Sequence, residues 1–121
     1  MREVTVDIPV KLPSLNDYIR SCRGNVYAAN NEKRSIERTI GYYIRQLPHF
    51  ENPVAIDFVW IEENRRRDLD NIAFAKKFIL DALVKHGKLK DDNRKFVTAF
   101  TDSFRYEKQA GVVITIRELE E

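Results

Sequence analysis

The spacing of apolar residues most constrains how this chain can fold, because it changes repeatedly between the period of a strand and that of a helix. Residues 4–10 alternate apolar and polar side chains, which is typical of a half-buried strand. From about Asn31 to Leu47 the apolar residues recur at the spacing of one helical face, and Pro48 ends that segment. The chain is therefore predicted to begin with a strand and then a helix.

The same change of period recurs in the second half of the chain. Residues 54–61 form a largely apolar strand, and residues 71–86 have a helical pattern that Gly87 ends. Residues 95–104 and 111–117 are predicted to be two further strands. The order β-α-β-α-β-β predicts an α+β fold of two layers, in which a mixed four-stranded sheet carries its helices on one face.

The segment between the first strand and the first long helix contains several turn-forming residues. Pro13–Asn16 predicts a turn or the start of a short helix, with Ser14 as a possible cap. Residues 17–29 include Gly24 and Asn25 and are predicted to be a loop with exposed arginines.

Composition limits the classes of protein to which the chain can belong. Its 121 residues are expected to form one domain, residues 1–121, and 43% apolar with 33% charged residues favours a folded, soluble protein. No apolar run approaches the ~18 residues of a membrane span, and the N-terminus has no signal-peptide core. The single cysteine, Cys22, cannot form an intrachain disulfide. These features predict a cytoplasmic protein.

Residues 65–70 hold three arginines followed by Asp68 and Asp70, so both signs of charge are concentrated in one short stretch. The formal net charge of +2 is too small to indicate nucleic-acid binding by itself. Carboxylates two residues apart on extended backbone point to the same side, with their Cα atoms roughly 6.5–7 Å apart. That arrangement suits Mg²⁺, and forked arginines suit phosphate. Helix capping is the alternative for Asp70 or Asn71, although it hardly explains both aspartates and the arginines.

Two later features could belong to the same site. Lys77 lies seven residues after Asp70, so an unbroken helix would put both on one face and Lys76 on the opposite side. The alternative role of Lys77 is a surface ion pair with Asp81. Asp91-Asp92 lies in a predicted turn, where aspartate is common. If these carboxylates converge, a divalent cation or Lys77 must balance their charge.

The length of the second predicted helix opposes such convergence. A helix over residues 71–86 carries the chain roughly 22 Å from Asp70, whereas five or six extended residues return about 16–20 Å at most. Asp92 therefore reaches the first motif if the helix is shorter or bent, if residues 63–70 double back, or if a dimer partner supplies it.

Taken together, these motifs resemble the RusA family of Holliday-junction resolvases. The segments that carry the resemblance are Asn64–Asn71, the lysine of the following helix, Asp81–Leu83, Asp91-Asp92, Pro13–Asn16 and Arg23–Tyr27. The chain departs from the family pattern in the interval between the aspartates and the lysine, which is shorter in some members. The choice of Lys77 over the adjacent Lys76 therefore rests on helical phase and on the distance to Asp81. It also has Asp91 where similar sequences often have asparagine, which favours Asp92 as a ligand without excluding Asp91.

The resemblance implies a homodimeric, Mg²⁺-dependent endonuclease, often carried by phages or prophages, which resolves four-way DNA junctions by symmetric cuts in recombination and repair. It implies that Asp68, Asp70 and Asp92 are the catalytic metal ligands, with Mn²⁺ as a substitute ion, and that Lys77 is the catalytic lysine. We expect the phosphate contacts to come from exposed arginines, namely Arg20, Arg23, Arg65, Arg66, Arg67 and Arg94. The alternative hypothesis is a non-catalytic nucleic-acid-binding module whose aspartates are helix caps.

Overall fold

The computed structural model describes residues 2–119, within which a four-stranded mixed sheet is the central element. Its strands are β1 (Glu3–Ile8), β2 (Val54–Glu62), β3 (Val97–Tyr106) and β4 (Gly111–Glu118). They lie in the order β1-β4-β2-β3, and β2 is parallel to β3 but antiparallel to β4. The predicted α+β fold with a mixed four-stranded sheet is confirmed.

The helices are α1 (Leu15–Gly24), α2 (Val26–Ile44), α3 (Leu69–Ala73) and α4 (Lys76–Lys85). The core lies between them and one face of the sheet, where Phe58 and Ile114 from the strands join Ile40 and Leu83 from the helices. The opposite face is polar, since Thr101 Oγ1 donates to Asp57 at 2.7 Å and Arg117 pairs with the same carboxylate at 3.2 Å. Burial of alternate strand residues is what directs every helix to one side.

The prediction of a loop over residues 17–29 was wrong, because α1 and α2 occupy that segment. Ser14 caps α1, and the reciprocal hydrogen bonds between Ser14 and Asp17 form a capping box. Asn25 then ends α1 and caps α2, its side chain accepting from the backbone N–H groups of Tyr27 and Ala28. Gly24 and Asn25 thus mark a boundary between helices.

The single helix predicted over residues 71–86 was also wrong in its extent. It is divided into α3 and α4, which are separated by Phe74 and Ala75. Between them the backbone turns tightly: the N–H groups of Ala75 and Lys77 donate to the oxygens of Ile72 and Phe74, three residues back, each at 3.1 Å. The predicted stop is confirmed, since Gly87 follows α4 with φ +73°. Within residues 2–119 no helix is long and apolar enough to cross a membrane.

Candidate active site

Asp68 and Asp70 lie where the chain leaves β2 and enters α3, and both side chains are exposed. Asp68 occupies the N-cap position on extended backbone, but its side chain makes no cap hydrogen bond. Asp70 lies in the first turn, where its Oδ1 accepts only a local bond from the N–H of Asn71 at 3.0 Å. Ion pairs among the described residues include neither carboxylate. Hydrogen-bonded capping therefore does not account for these two aspartates.

Lys77 lies between two carboxylates. Its Nζ is 3.1 Å from Asp81 Oδ1 and 3.4 Å from Asp92 Oδ2, and Lys33 Nζ is 3.4 Å from Asp81 Oδ2. The hydrogen bond to Asp81 raises the pKa of Lys77; burial opposes this, and the charges of Asp81 and Asp92 and the hydrogen bond to Asp92 add to the increase. Lys77 is therefore a fixed positive charge at neutral pH.

The path of residues 86–92 explains how Asp92 reaches Lys77 within one chain. The N–H groups of Lys88 and Leu89 donate to the oxygen of Leu83 at 2.8 and 3.2 Å, so the chain turns back along α4. Lys77 to Lys85 spans about 12 Å of helix, which seven residues of extended chain cover easily. The sequence left three routes by which Asp92 could approach the first motif. The shortened helix is the route that the structure shows, and it brings Asp92 as far as Lys77.

The three predicted ligands do not form a preformed metal cage. Within residues 2–119 no group of three or more His, Cys, Asp or Glu side chains is arranged to hold a metal ion. The Asp91 side chain forms hydrogen bonds within the turn that contains it, because its carboxylate accepts from the backbone N–H of Asp92 at 2.7 Å and from Asn93 Nδ2 at 3.1 Å. Mg²⁺ nevertheless needs only one or two protein carboxylates when water and phosphate complete its shell. The exposed pair Asp68 and Asp70 fits that requirement.

A groove beside Asp70 contains residues that sequence reasoning missed. Asp102 of β3 accepts hydrogen bonds from Trp60 Nε1 at 2.8 Å and from Lys76 Nζ at 2.6 Å. The groove has a volume of about 500 Å³ and is lined by Leu69, Asp70, Ala73, Phe74, Lys76, Asp102 and Phe104. A lone acid between Phe100 and Phe104 on one face of a strand was the signal available in the sequence.

The residues of this candidate site lie within a segment that matches a known protein family. The family model of the endodeoxyribonuclease RusA matches residues 9–117. The chain belongs to the RusA family. The RusA family is a family of endodeoxyribonucleases, which supports a nuclease activity for this chain. Membership also implies Holliday-junction DNA as the substrate. A search of curated proteins found no match to this chain.

One arginine predicted to contact phosphate in this RusA-family protein already has partners within the chain. The guanidinium of Arg67 forms two parallel hydrogen bonds of 2.9 Å to the Glu62 carboxylate, and its Nη1 donates to the oxygen of Leu12 at 3.0 Å. The two side chains are only 17% and 7% exposed. Since its fork is already occupied, Arg67 holds the end of β2 to the segment before α1, and these hydrogen-bond donors are not available to a phosphate.

The other arginines of the RusA-family chain remain at the surface. Arg65 lies over the ring of Tyr106, with 4.6 Å between the guanidinium carbon and the ring centroid. The side chain of Arg20 is 80% exposed, at 3.9 Å from Asp17. Arg23, Arg66 and Arg94 are also exposed. These five side chains are free to contact phosphates.

Proposed function

We propose that this protein is a metal-dependent endonuclease that binds four-way DNA junctions as a homodimer and resolves them by paired symmetric nicks. Membership of the RusA family supports the nuclease activity and the junction substrate. Mg²⁺, with Mn²⁺ as a substitute, is the proposed ion. Its proposed ligands are Asp68 and Asp70, with Asp92 as the third carboxylate.

The exposed carboxylates of Asp68 and Asp70 are the observation that carries this proposal. Neither is used by a cap hydrogen bond or by an ion pair among the described residues, and both lie inside the family match. When bound, a divalent cation supplies Lewis-acid stabilisation of the scissile phosphate and lowers the pKa of the attacking water. The two aspartates contribute hard oxygen ligands and leave the remaining positions to water and to the substrate.

Lys77 contributes a positive charge that is held in position. Its ammonium is anchored by Asp81, on the next turn of α4, and it lies 3.4 Å from Asp92. A protonated lysine beside the phosphate stabilises the negative charge that grows during cleavage. The same ammonium offsets the repulsion that Asp92 would add to a site already containing two carboxylates.

The exposed arginines provide affinity that does not depend on base sequence. Their side chains contact phosphates, and such contacts position the nucleic acid without reading it. The proposed set is Arg20, Arg23, Arg65, Arg66 and Arg94. A four-way junction has approximate two-fold symmetry and needs two nicks, so a two-fold dimer supplies one site to each cleaved strand. Roles in recombination and repair, a prophage origin and a cytoplasmic location stay predictions.

The test is cleavage of a synthetic four-way junction by the full chain. We expect paired nicks with Mg²⁺ or Mn²⁺, no cleavage with EDTA, and no cleavage of a linear duplex of the same sequence. Junction binding should persist in EDTA, because arginines supply the affinity. Binding without cleavage in either metal would instead favour the non-catalytic binding module.

A further inference from the structure

The groove beside Asp70 combines apolar walls with one charged pair. Leu69 and Phe74 line it from α3 and the turn that follows, and Phe104 lines it from β3. Leu69 is 51% exposed although it lies between the two candidate metal ligands. The volume of about 500 Å³ falls in the range of small-molecule pockets. Apolar walls with a few fixed polar groups are the usual composition of a ligand-binding site.

Lys76 and Asp102 supply the polar groups of this groove in a fixed arrangement. The Lys76 ammonium is held by Asp102 Oδ2 and lies 4.1 Å from the centroid of the Phe100 ring, so it cannot rotate freely. The side chains of Lys76 and Asp102 are 17% and 25% exposed. The ammonium retains unused donors, and each carboxylate oxygen retains a lone pair. A donor and an acceptor therefore lie side by side between apolar walls.

We propose that this groove receives one nucleobase of the cleaved strand, next to the scissile phosphate, and that Lys76 and Asp102 read the edge of that base. Aromatic and aliphatic walls stack bases of any sequence, whereas a fixed donor and acceptor distinguish between them. Because Asp70 lines the same groove, the bound base and the phosphate to be cut are neighbours. This inference rests on the proposed function and names its specificity-determining residues.

The groove also provides a physical reason for preferring a junction to a duplex. A base must leave its stack to enter the groove, and that step is costly in a regular duplex and least costly where base pairing is already disturbed. Bases at the crossover of a four-way junction meet that condition. Only such a substrate would bring its phosphate to Asp70 at low cost.

Trp60 makes the groove observable without cleavage. It is the only tryptophan of the chain, and its indole N–H donates to Asp102, which lines the groove. In EDTA, titration of the wild-type protein with a four-way junction should change the Trp60 emission, and a linear duplex should change it less. Junctions with an abasic nucleotide at successive positions around the crossover should include one that still binds but leaves the emission unaltered. An emission change that survives every abasic position would overturn the proposal.

Cleavage profiles on junctions with randomised bases at the crossover provide the second measurement. Asp102→Asn retains an acceptor for Trp60 but adds a donor, and Lys76→Gln removes the charge. Each should alter the ratio between the best and worst cleaved base on the order of tenfold, at one position of the cleaved strand. Lys108→Gln, an exposed lysine outside the groove, should leave the wild-type profile. Unaltered profiles in both groove variants would refute base reading.

Two further outcomes have defined meanings. If a second copy of the chain fills the groove, Trp60 emission will depend on protein concentration without DNA, and the proposal fails. If the wild-type protein binds junctions but never cuts them, the proposed function fails, while the abasic titration still decides whether the groove takes a base. Melting curves identify a variant that does not fold, and the wild-type titration then carries the decision.

Discussion

At the scale of single residues, the carboxylates near the candidate site fall into two kinds. Those of Glu62, Asp81 and Asp102 are each joined to a lysine or arginine of the same chain. Those of Asp68 and Asp70 are exposed and stand outside every ion pair between described residues. Leaving two neighbouring acids unpaired costs stability through their mutual repulsion, and a function repays that cost more readily than a structural role.

Asp70→Asn should abolish junction cleavage while binding stays the same or becomes tighter. The change removes a proposed metal ligand and one negative charge from the proposed DNA-facing surface, whereas the affinity is proposed to come from basic groups. Single-turnover cleavage and a binding titration on one junction measure the two effects. Asp7→Asn, the same change on the edge strand β1, is the matched control and should cut normally. Wild-type cleavage by the Asp70 variant would remove it from the metal site.

Lys77→Ala should lower the cleavage rate on the order of a hundredfold, and far more than Lys76→Ala. The reason is no longer helical phase, since α3 and α4 are not one helix, but the 3.4 Å between Lys77 Nζ and Asp92 Oδ2. Rates averaged over a junction library separate this effect from base preference. Equal losses in the two variants would mean that neither lysine is specific to the chemistry.

Arg66 and Arg67 should behave oppositely although they are neighbours. Arg67→Ala leaves Glu62 buried without its partner and should lower the free energy of unfolding by about 3 kcal/mol, with no change in the salt dependence of binding. Arg66→Ala should leave stability unchanged and reduce the slope of log K against log salt by roughly 0.9. Melting curves and salt titrations of both variants make the comparison. A lowered salt slope in a stably folded Arg67 variant would contradict its structural role.

At the scale of elements, α1 begins with a capping box that stabilises its N-terminus. None of its ten residues is fully buried, whereas the Ser14 and Asp17 side chains satisfy two backbone N–H groups reciprocally. The hydrogen bond from the Ser14 N–H holds the pKa of Asp17 below its ordinary value of 3.8; slight burial opposes this, and the Ser14 hydroxyl and the charges of Arg67 and Arg20 support it. Since the folded pKa is the lower one, ionised Asp17 stabilises the folded state.

Ser14→Ala should therefore lower the free energy of unfolding by about 1 kcal/mol near pH 7. Asp17→Asn should destabilise as well, and its difference from the wild type should be full above about pH 4 and shrink as pH falls through the lowered pKa. Urea unfolding at a series of pH values measures both, with the exposed Asn16→Ala as the control. A difference for Asp17→Asn that does not change with pH would exclude the carboxylate as the cause.

At the scale of the whole molecule, the sheet holds together residues that the chain keeps far apart. β4 lies between β1 and β2 and pairs antiparallel with both. Gly111, its first residue, passes so close to the end of β1 that an added Cβ would lie 2.7 Å from the Ile8 oxygen and 3.0 Å from the Pro9 Cα. Those are backbone atoms, so they can give way only if the strands separate.

Gly111→Ala should destabilise the fold by about 1–3 kcal/mol. Gly24→Ala, at the last residue of α1, is the contrasting variant because an added Cβ there meets no atom within 4 Å. It should be neutral or stabilising by up to about 1 kcal/mol. Chemical denaturation of the two variants tests the pair, and equal stabilities would show that the strands accommodate the extra carbon.

Local patterns in the sequence were enough to predict the four strands, most of α2 and the acidic motif, because apolar period and charge clustering are properties of neighbouring residues. Neither α1 nor the start of α2 was predicted, because α1 has only ten residues, none of them fully buried, and the first turn of α2 leaves Val26 and Tyr27 68% and 83% exposed. A helix of about ten residues is marginal by itself, so its packing against the rest of the fold decides whether it forms.

The pairing of charges depends instead on how the elements pack. Asp102 joins Trp60 across 42 residues and Lys76 across 26, and Asp92 joins Lys77 across 15. Each contact depends on strand order, on the break between α3 and α4, and on the return of the chain along α4. The same folding turned Arg67 from an expected DNA contact into an internal ion pair, because β2 ends where Glu62 can hold its fork. The pairings of Asp102 and Asp92 follow from the packing of distant segments, and no local pattern encodes them.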